Sequence, residues 1–157
     1  MLKIIKAQKD DLLDLAKIYM KSYNAEGEKW TLAKSKDMIN YRFTKKLKLK
    51  ATLDGKIVGL LFSDIKPFYN GNILIDGDLV IDLKYQKQGI GKELFFYGMD
   101  YAHKNFGVRF REFYTFRDSY QYKRYKKLGF YDSEKFVLMA GNIEDILKNN
   151  KYFKNNK

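Results

Sequence analysis

Two short runs hold the residues best suited to chemistry. Gln86-Lys87-Gln88-Gly89-Ile90-Gly91 follows an apolar run, Leu79-Val80-Ile81, and leads into an amphipathic stretch. Strand, glycine turn and helix together present free backbone N–H groups to a phosphate, and the helix dipole adds favourable charge. Backbone N–H groups of Gln88, Gly89, Ile90, Gly91 and Lys92 are the ones expected to surround a pyrophosphate. Gly89 and Gly91 lack a Cβ, so an anion can approach the main chain closely. The Lys87 and Lys92 side chains add charge at the rim. The second run, Tyr125-Lys126-Lys127-Leu128-Gly129-Phe130, supplies a phenol. A phenol of pKa about 10 can act as a proton donor. Three carboxylates, Asp76, Asp78 and Asp82, alternate through the run before the glycine turn, and alternation in a strand projects them to one face.

A glycine turn alone does not choose its anion. A P-loop needs G-x-x-x-x-G-K-[ST], which the chain lacks. A dinucleotide fingerprint needs a third glycine, where Leu94 stands, and follows a first strand. With no cysteine and only His103, thiolate nucleophiles, Cys-ligated zinc, a histidine-rich metal site and an ordinary Ser/His/Asp triad are excluded. His103 itself falls near a helix end, where a cation meets the dipole favourably; no catalytic role is expected of it.

The elements that must position these groups are readable in order. Residues 2–7 suit a strand. Asp10 is a candidate N-cap for a helix with a stripe of Leu12, Leu13, Leu15, Ala16, Ile18 and Tyr19. Residues 24–30 form a loop, and Thr31 caps a second helix with Leu32, Ile39 and Phe43 as buried candidates. Residues 47–53 and 56–65 flank Asp54-Gly55, a hairpin signal. Residues 67–72, with the only proline, form a turn; 73–82 are a strand. A helix follows Gly91, with Gly98 allowing close approach to a neighbour. Residues 108–116 are a strand, Asp118 caps a helix ending at Gly129, residues 136–140 are a last strand, and Asn142 caps a short helix. Residues 149–157 read as a frayed tail. The order is mixed α/β around one sheet in a single domain spanning residues 1–157, with its core in 2–140.

The spacing Q-x-x-G-x-G at Gln86, Gly89 and Gly91, followed by Tyr125-Lys126-Lys127-Leu128-Gly129-Phe130, resembles the two signatures of the GNAT N-acetyltransferase superfamily. The likeness runs from Leu2 to about Ala140. Leu83 stands where many members carry proline. The resemblance implies an acyl-CoA N-acyltransferase fold: a mostly antiparallel sheet, two central strands splayed apart, and flanking helices. It implies acetyl-CoA as acetyl donor and a primary amine of a small molecule or peptide as acceptor, with direct transfer. A strand N–H near Val80 or Ile81 would polarise the thioester carbonyl. Tyr125 would protonate the departing thiolate. Asp78 is the first choice for a base, direct or through water, and Asp76 the second. Asp118 stands where relatives often carry an asparagine that binds the pantetheine arm. Residues 24–43 would form the acceptor side, with Glu26 and Glu28 drawing a cationic amine and Trp30 loosely similar to aminoglycoside-acetylating members.

The net charge is +12, and the half that holds the glycine turn carries most of it: 16 basic and 8 acidic residues from 84 onward, against 15 and 11 before. Such a field attracts a polyanion, coenzyme A or nucleic acid. Interspersed acids and the lack of a basic arm make nucleic acid the less favoured partner. A CoA-binding regulatory module without catalysis is the other alternative. The N-terminal MLKIIKAQKDD is too short and charged for a signal peptide, and no apolar run approaches the roughly 20 residues of a membrane span. The expectation is a cytoplasmic acyltransferase without a metal, with a homodimer left open.

Overall fold

The computed structural model describes residues 1–134 and 137–149. The chain divides into two units, Met1–Tyr114 and Thr115–Lys157. The first holds a five-stranded mixed sheet: β1 (Leu2–Lys6), β2 (Leu47–Leu53), β3 (Lys56–Lys66), β4 (Asn72–Ile81) and β5 (Val108–Arg111). Strand order follows chain order; β1 to β4 are antiparallel neighbours, and β5 runs parallel to β4. Asp54 (φ 49°) and Gly55 (φ 81°) are both left-handed, the conformation of a two-residue turn that matches strand twist.

Alternation along β3 divides the core. Leu61 faces helix α3 (Ile90–Phe106), sharing one apolar cluster with Leu49, Leu74, Leu94 and Ala102. Leu60 and Phe62 face helices α1 (Leu12–Ala25) and α2 (Leu32–Arg42), with Leu15, Tyr19, Ile39, Phe43 and Val80. The expected close approach at Gly98 is real: a Cβ there would collide with Leu61 Cδ2.

Local signals explain the ends of the helices, with corrections. Thr31 caps α2, its hydroxyl accepting from the Lys34 N–H at 3.2 Å. Asp10 does not cap α1. It lies within a 3-10 turn, Lys9–Asp11, that precedes the helix, and the Asp11 carboxylate accepts from the Gln8 N–H. α3 ends at Gly107 (φ 62°), and His103 Nδ1 lies 2.8 Å from the Val108 carbonyl.

β4 carries a bulge. Ser63 pairs with Gly77 and Asp64 with Ile75, so Asp76 is the extra residue, at φ 43°. A bulge bends its strand, and pairing with β5 stops before it, at Leu74, with one further bond from the Glu112 N–H to the Leu74 carbonyl. The strand expected over 108–116 therefore ends at Arg111. From Ile75 to Ile81, β4 has no strand partner on its β5 side among the described residues.

In the second unit, α4 (Tyr120–Lys127) is capped by Ser119, whose hydroxyl accepts from the Tyr122 N–H at 3.0 Å; Asp118, expected as the cap, is left-handed at φ 59° just before it. Gly129 (φ 92°) follows the helix end as expected. Asn142 caps α5 (Ile143–Asn149), accepting from the Glu144 and Asp145 N–H groups. The strand expected over 136–140 is not formed at 137–140, and Phe136 lies outside the described residues. Val137, Leu138 and Met139 are exposed. A strand needs a paired edge and a buried face, and this unit has no other strand among its described residues.

Candidate active site

The glycine turn sits between the end of β4 and the start of α3. Asp82 ends the strand and caps a 3-10 turn, Leu83–Tyr85, accepting from the Lys84 N–H at 3.0 Å. It therefore does not share a strand face with Asp76 and Asp78, because β4 stops at Ile81. The Ile81 carbonyl accepts from the Gln86 side-chain amide at 3.0 Å and from the Ser22 hydroxyl of α1 at 3.1 Å. Gln86 thus ties the turn to the strand end. Gln88 donates to the Lys84 carbonyl at 3.2 Å.

Two residues of the turn are left-handed, Lys87 (φ 62°) and Gly89 (φ 86°). Gly89 precedes the first residue of α3, and its carbonyl accepts from the Lys92 and Glu93 N–H groups at 2.9 and 3.1 Å. The first N–H groups of a helix have no partner within it, and those of Ile90 and Gly91 meet no acceptor among the described residues. Ile90 is buried and anchors the helix in the core, whereas Lys87 and Lys92 are exposed. Gly89 needs its glycine for backbone conformation. Gly91 does not: it is helical, and a Cβ there would meet only Ile81 Cγ1, at 3.4 Å, an ordinary contact. The chain's own packing therefore gives no reason for glycine at 91. A ligand close to the main chain does, so these residues fit a pyrophosphate.

Val80 is buried on the α1–α2 side, and Ile81 packs on the α3 side. Both lie on the stretch of β4 that β5 does not pair.

The two strand carboxylates come together on one guanidinium that sequence reading did not single out. Arg42, the last residue of α2, is buried. Its Nη1 donates to Asp76 Oδ1 at 2.8 Å and to the Asp76 carbonyl at 3.3 Å; its Nε lies 2.6 Å from Asp78 Oδ2. That last contact is charge against charge, off the hydrogen-bond direction. Asp78 is buried, and its other oxygen accepts from the Tyr23 hydroxyl at 2.6 Å. Asp76 is more open and also faces Lys45 Nζ at 3.3 Å and the Tyr41 hydroxyl at 3.4 Å; Lys45 in turn reaches Asp64 at 3.5 Å.

The electrostatics follow from these contacts. Burial works against ionised Asp76, but hydrogen bonding and charge from Arg42, then Lys45, hold its carboxyl below the usual range. Burial opposes the Arg42 charge as well, and Asp78 with Asp76 more than compensates. The Tyr41 hydroxyl raises the Lys45 ammonium against its own desolvation, with help from Asp76. Tyr23 and Tyr19 are pushed well above an ordinary phenol, by burial first and then by Asp78.

Glu28 and Trp30 meet: the Trp30 indole donates to the Glu28 carboxylate, and the Asn24 side chain accepts from the Trp30 N–H (2.7 Å) and donates to its carbonyl (2.9 Å). Trp30 also lies edge-on to Tyr19, with ring centroids 5.1 Å apart. Glu26 is exposed at the end of α1. An open cleft of about 290 Å³ is lined by Trp30, Lys34, Asp37, Met38 and Tyr41. Trp30 thus serves as a loop clasp and also forms one wall of a cleft whose far wall, Tyr41, contacts Asp76.

Tyr125 and Asp118 belong to the second unit. Tyr125 is half-buried in α4, its ring edge-on to Phe130 at 5.6 Å, and its carbonyl accepts from the Phe130 N–H. Tyr122 is turned to Asp132 instead, at 2.8 Å.

Comparison with known proteins bears on the whole arrangement. The profile of the acetyltransferase (GNAT) family matches residues 12–130. Among curated proteins none matches in sequence. In fold, the chain is similar to a possible acetyltransferase from Clostridium difficile (19% identity, TM-score 0.77, covering 91% of this chain and 99% of that one). It is similar to a predicted acetyltransferase with acetyl-CoA from Clostridium acetobutylicum (16%, 0.69, 89% and 96%). It is also similar to an aminoglycoside 6'-N-acetyltransferase from Acinetobacter haemolyticus (18%, 0.65, 90% and 99%). Among the described residues, no helix is long and apolar enough to cross a membrane, and no cluster of side chains could hold a metal ion.

Proposed function

The chain belongs to the GNAT acetyltransferase family, and from that membership we propose that it transfers an acetyl group from acetyl-CoA directly to a primary amine of a small molecule or peptide. The observation that carries this reading is Gly91. Its missing Cβ serves no close contact among the described residues, and it stands in the first turn of a helix where the N–H groups of Ile90 and Gly91 meet no acceptor among them.

Bound acetyl-CoA supplies an acetyl group already activated as a thioester. Backbone N–H groups from Gln88 to Gly91 hold the pyrophosphate, that of Lys92 being taken by the Gly89 carbonyl, and the Lys87 and Lys92 side chains add charge from the rim. Gln86 keeps the turn closed on Ile81. Of the main-chain N–H groups at Val80 and Ile81, that of Ile81 faces the unpaired edge of β4 and stabilises charge developing on the carbonyl oxygen, while that of Val80 is directed at β3. The Tyr125 hydroxyl gives its proton to the departing sulfur. Asp118 lies in the same second unit and is assigned to the pantetheine arm.

The amine must lose a proton before it can attack. Asp78 is the first candidate to take it, through water or the Tyr23 hydroxyl, and Asp76 the second. Their pairing with Arg42 also keeps negative charge on the acceptor side, where Glu26, Glu28 and Trp30 would receive a cationic amine. Burial of Asp78, with one oxygen hydrogen-bonded to Tyr23 and the other against the Arg42 charge, favours a second reading, a CoA-binding module without catalysis.

One experiment separates the two. Acetyl-CoA is titrated calorimetrically, and release of free CoA is then followed with spermidine, kanamycin and a lysyl peptide. Binding with release for at least one amine supports transfer. Binding with no release supports the module, and absence of binding defeats both.

A further inference from the structure

Arg42 joins three groups that lie within three residues of one strand: the Asp76 carboxylate, the Asp76 carbonyl and the Asp78 carboxylate. These flank Gly77, the residue at the bulge that cannot carry a side chain. A Cβ there would strike the Phe62 carbonyl, with Ser63 Oγ 2.8 Å away. Ser63 secures the other side by donating to the Ile75 carbonyl at 2.7 Å. The bulge also forces Asp76 into a left-handed conformation that a non-glycine residue adopts at a cost. Something must hold it there, and the buried fork of Arg42 is in contact with both the backbone and the side chain concerned.

A purely structural explanation is weak on physical grounds. Buried ion pairs often stabilise a fold no better than apolar residues of the same size. An apolar residue cannot grip a carbonyl and two carboxylates across a bulge, and a lysine lacks the planar fork. The grip also lies within the unpaired stretch of β4, just before the strand N–H group assigned to the thioester.

We propose that Arg42 is a positioning residue: it clamps the β4 bulge and so sets the geometry of residues 77–81 for acetyl transfer. The role rests on the acetyltransferase reading above. It is distinct from that of a base, since a guanidinium does not accept a proton at working pH. The other charged and titratable groups facing the clamp are Tyr19 and Tyr23 of α1, Tyr41 of α2, Lys45, and Asp64 of β3.

The test uses the full chain and two variants, Arg42→Lys and Asp76→Gly. Hydrogen exchange of the segment covering 75–81 is measured without ligand, acetyl-CoA affinity by calorimetry, and turnover with the amine of the panel that wild type acetylates fastest. For Arg42→Lys, exchange in 75–81 rises severalfold as the clamp loosens. Turnover falls about tenfold or more, because small misplacements are costly in a transfer site. Acetyl-CoA affinity stays within about twofold of wild type, since the turn at 86–91 makes no contact with Arg42. The loss is even across the pH–rate profile, whereas loss of a base removes an ionisation from it. Unchanged exchange, or turnover within about twofold of wild type, overturns the proposal.

If Arg42→Lys does not fold, Asp76→Gly decides. Glycine accepts the left-handed conformation, which offsets part of the lost ion pairs, while Arg42 is left with only the residue-76 carbonyl and the Asp78 carboxylate. Reduced turnover with an even pH profile supports the clamp; retained turnover overturns it. If wild type binds no acetyl-CoA, the acetyltransferase reading fails separately, and exchange in 75–81 alone decides the clamp.

Discussion

The Tyr23 hydroxyl donates to Asp78 Oδ1 at 2.6 Å, joining α1 to the middle of β4 on the face of the sheet that packs α1 and α2. Removing the hydroxyl leaves a buried carboxylate oxygen short of a partner. Tyr23→Phe is expected to cost about 1–3 kcal/mol by chemical denaturation. Asp78→Ala is expected to cost more, about 3–5 kcal/mol, because it leaves the buried Arg42 charge without its Asp78 partner. Equal losses in the two variants would show that the Arg42 contact contributes nothing.

Gly91→Ala separates binding from folding. Alanine is the better helix former by about 1 kcal/mol, and its Cβ meets Ile81 at an ordinary distance. The variant should melt no lower than wild type yet lose about tenfold or more in acetyl-CoA affinity, from the crowding of the anion. Calorimetry beside a thermal melt reads both; unchanged affinity would remove the turn from the binding site.

Tyr125→Phe is expected to reduce turnover by about 10²–10⁴-fold with acetyl-CoA affinity nearly unchanged, as for loss of a general acid. Steady-state kinetics with the best amine of the panel gives the split. A variant with full turnover would return the proton to solvent.

The ionic cluster sets limits on pH stability at both ends. Asp76 has a folded pKa below its ordinary 3.8, so its contribution is present above that value and disappears as pH falls through 3.8 toward the folded pKa. Tyr19 and Tyr23 are raised above 10.0, and Lys45 above 10.5. Their contributions are complete below those values and decline once the unfolded chain begins to lose protons that the folded chain keeps. Melting temperature is therefore expected to be level from about pH 5 to 9 and to fall on either side. A chain whose stability kept rising above pH 10 would contradict the buried state of these phenols.

Gly98→Val places a branched side chain where even a single Cβ collides with Leu61. Overpacking of this kind costs about 1–3 kcal/mol, measurable by urea denaturation, with acetyl-CoA affinity retained in the folded fraction.

Local signals carried much of this architecture. Asp54-Gly55 marked the hairpin, Thr31 the start of α2, and the glycine turn the junction of β4 and α3. Each depends on neighbouring residues only. Arg42 was not legible because its function comes from tertiary contact: at the end of a helix it reads as one more solvated cation, and only the fold brings it to β4. The bulge had a sequence signal that was passed over. Gly77 sits alone between two aspartates in an otherwise apolar strand, and an isolated strand glycine marks a bulge or close backbone approach. Asp10 and Asp118 suit a cap intrinsically, but the helix starts are set by a 3-10 turn and by Ser119. Val137 to Met139 has strand composition, but composition does not supply a partner edge.

The strand order of the sheet has a consequence for how the chain assembles. β2, β3 and β4 pair with their sequence neighbours through short connections, so residues 47–81 hold a complete meander. β1 must find its partner across residues 7–46, which contain both α1 and α2, and β5 across residues 82–107, which contain α3. Local pairing folds fast, and distant closure pays its loop entropy late. During synthesis residues 47–81 emerge before α3, so the meander can pair before β5 is available. The parallel partner β5, the last strand among the described residues, then meets an edge bent by the bulge at Asp76, and its pairing ends at Leu74 without any later separation of paired strands.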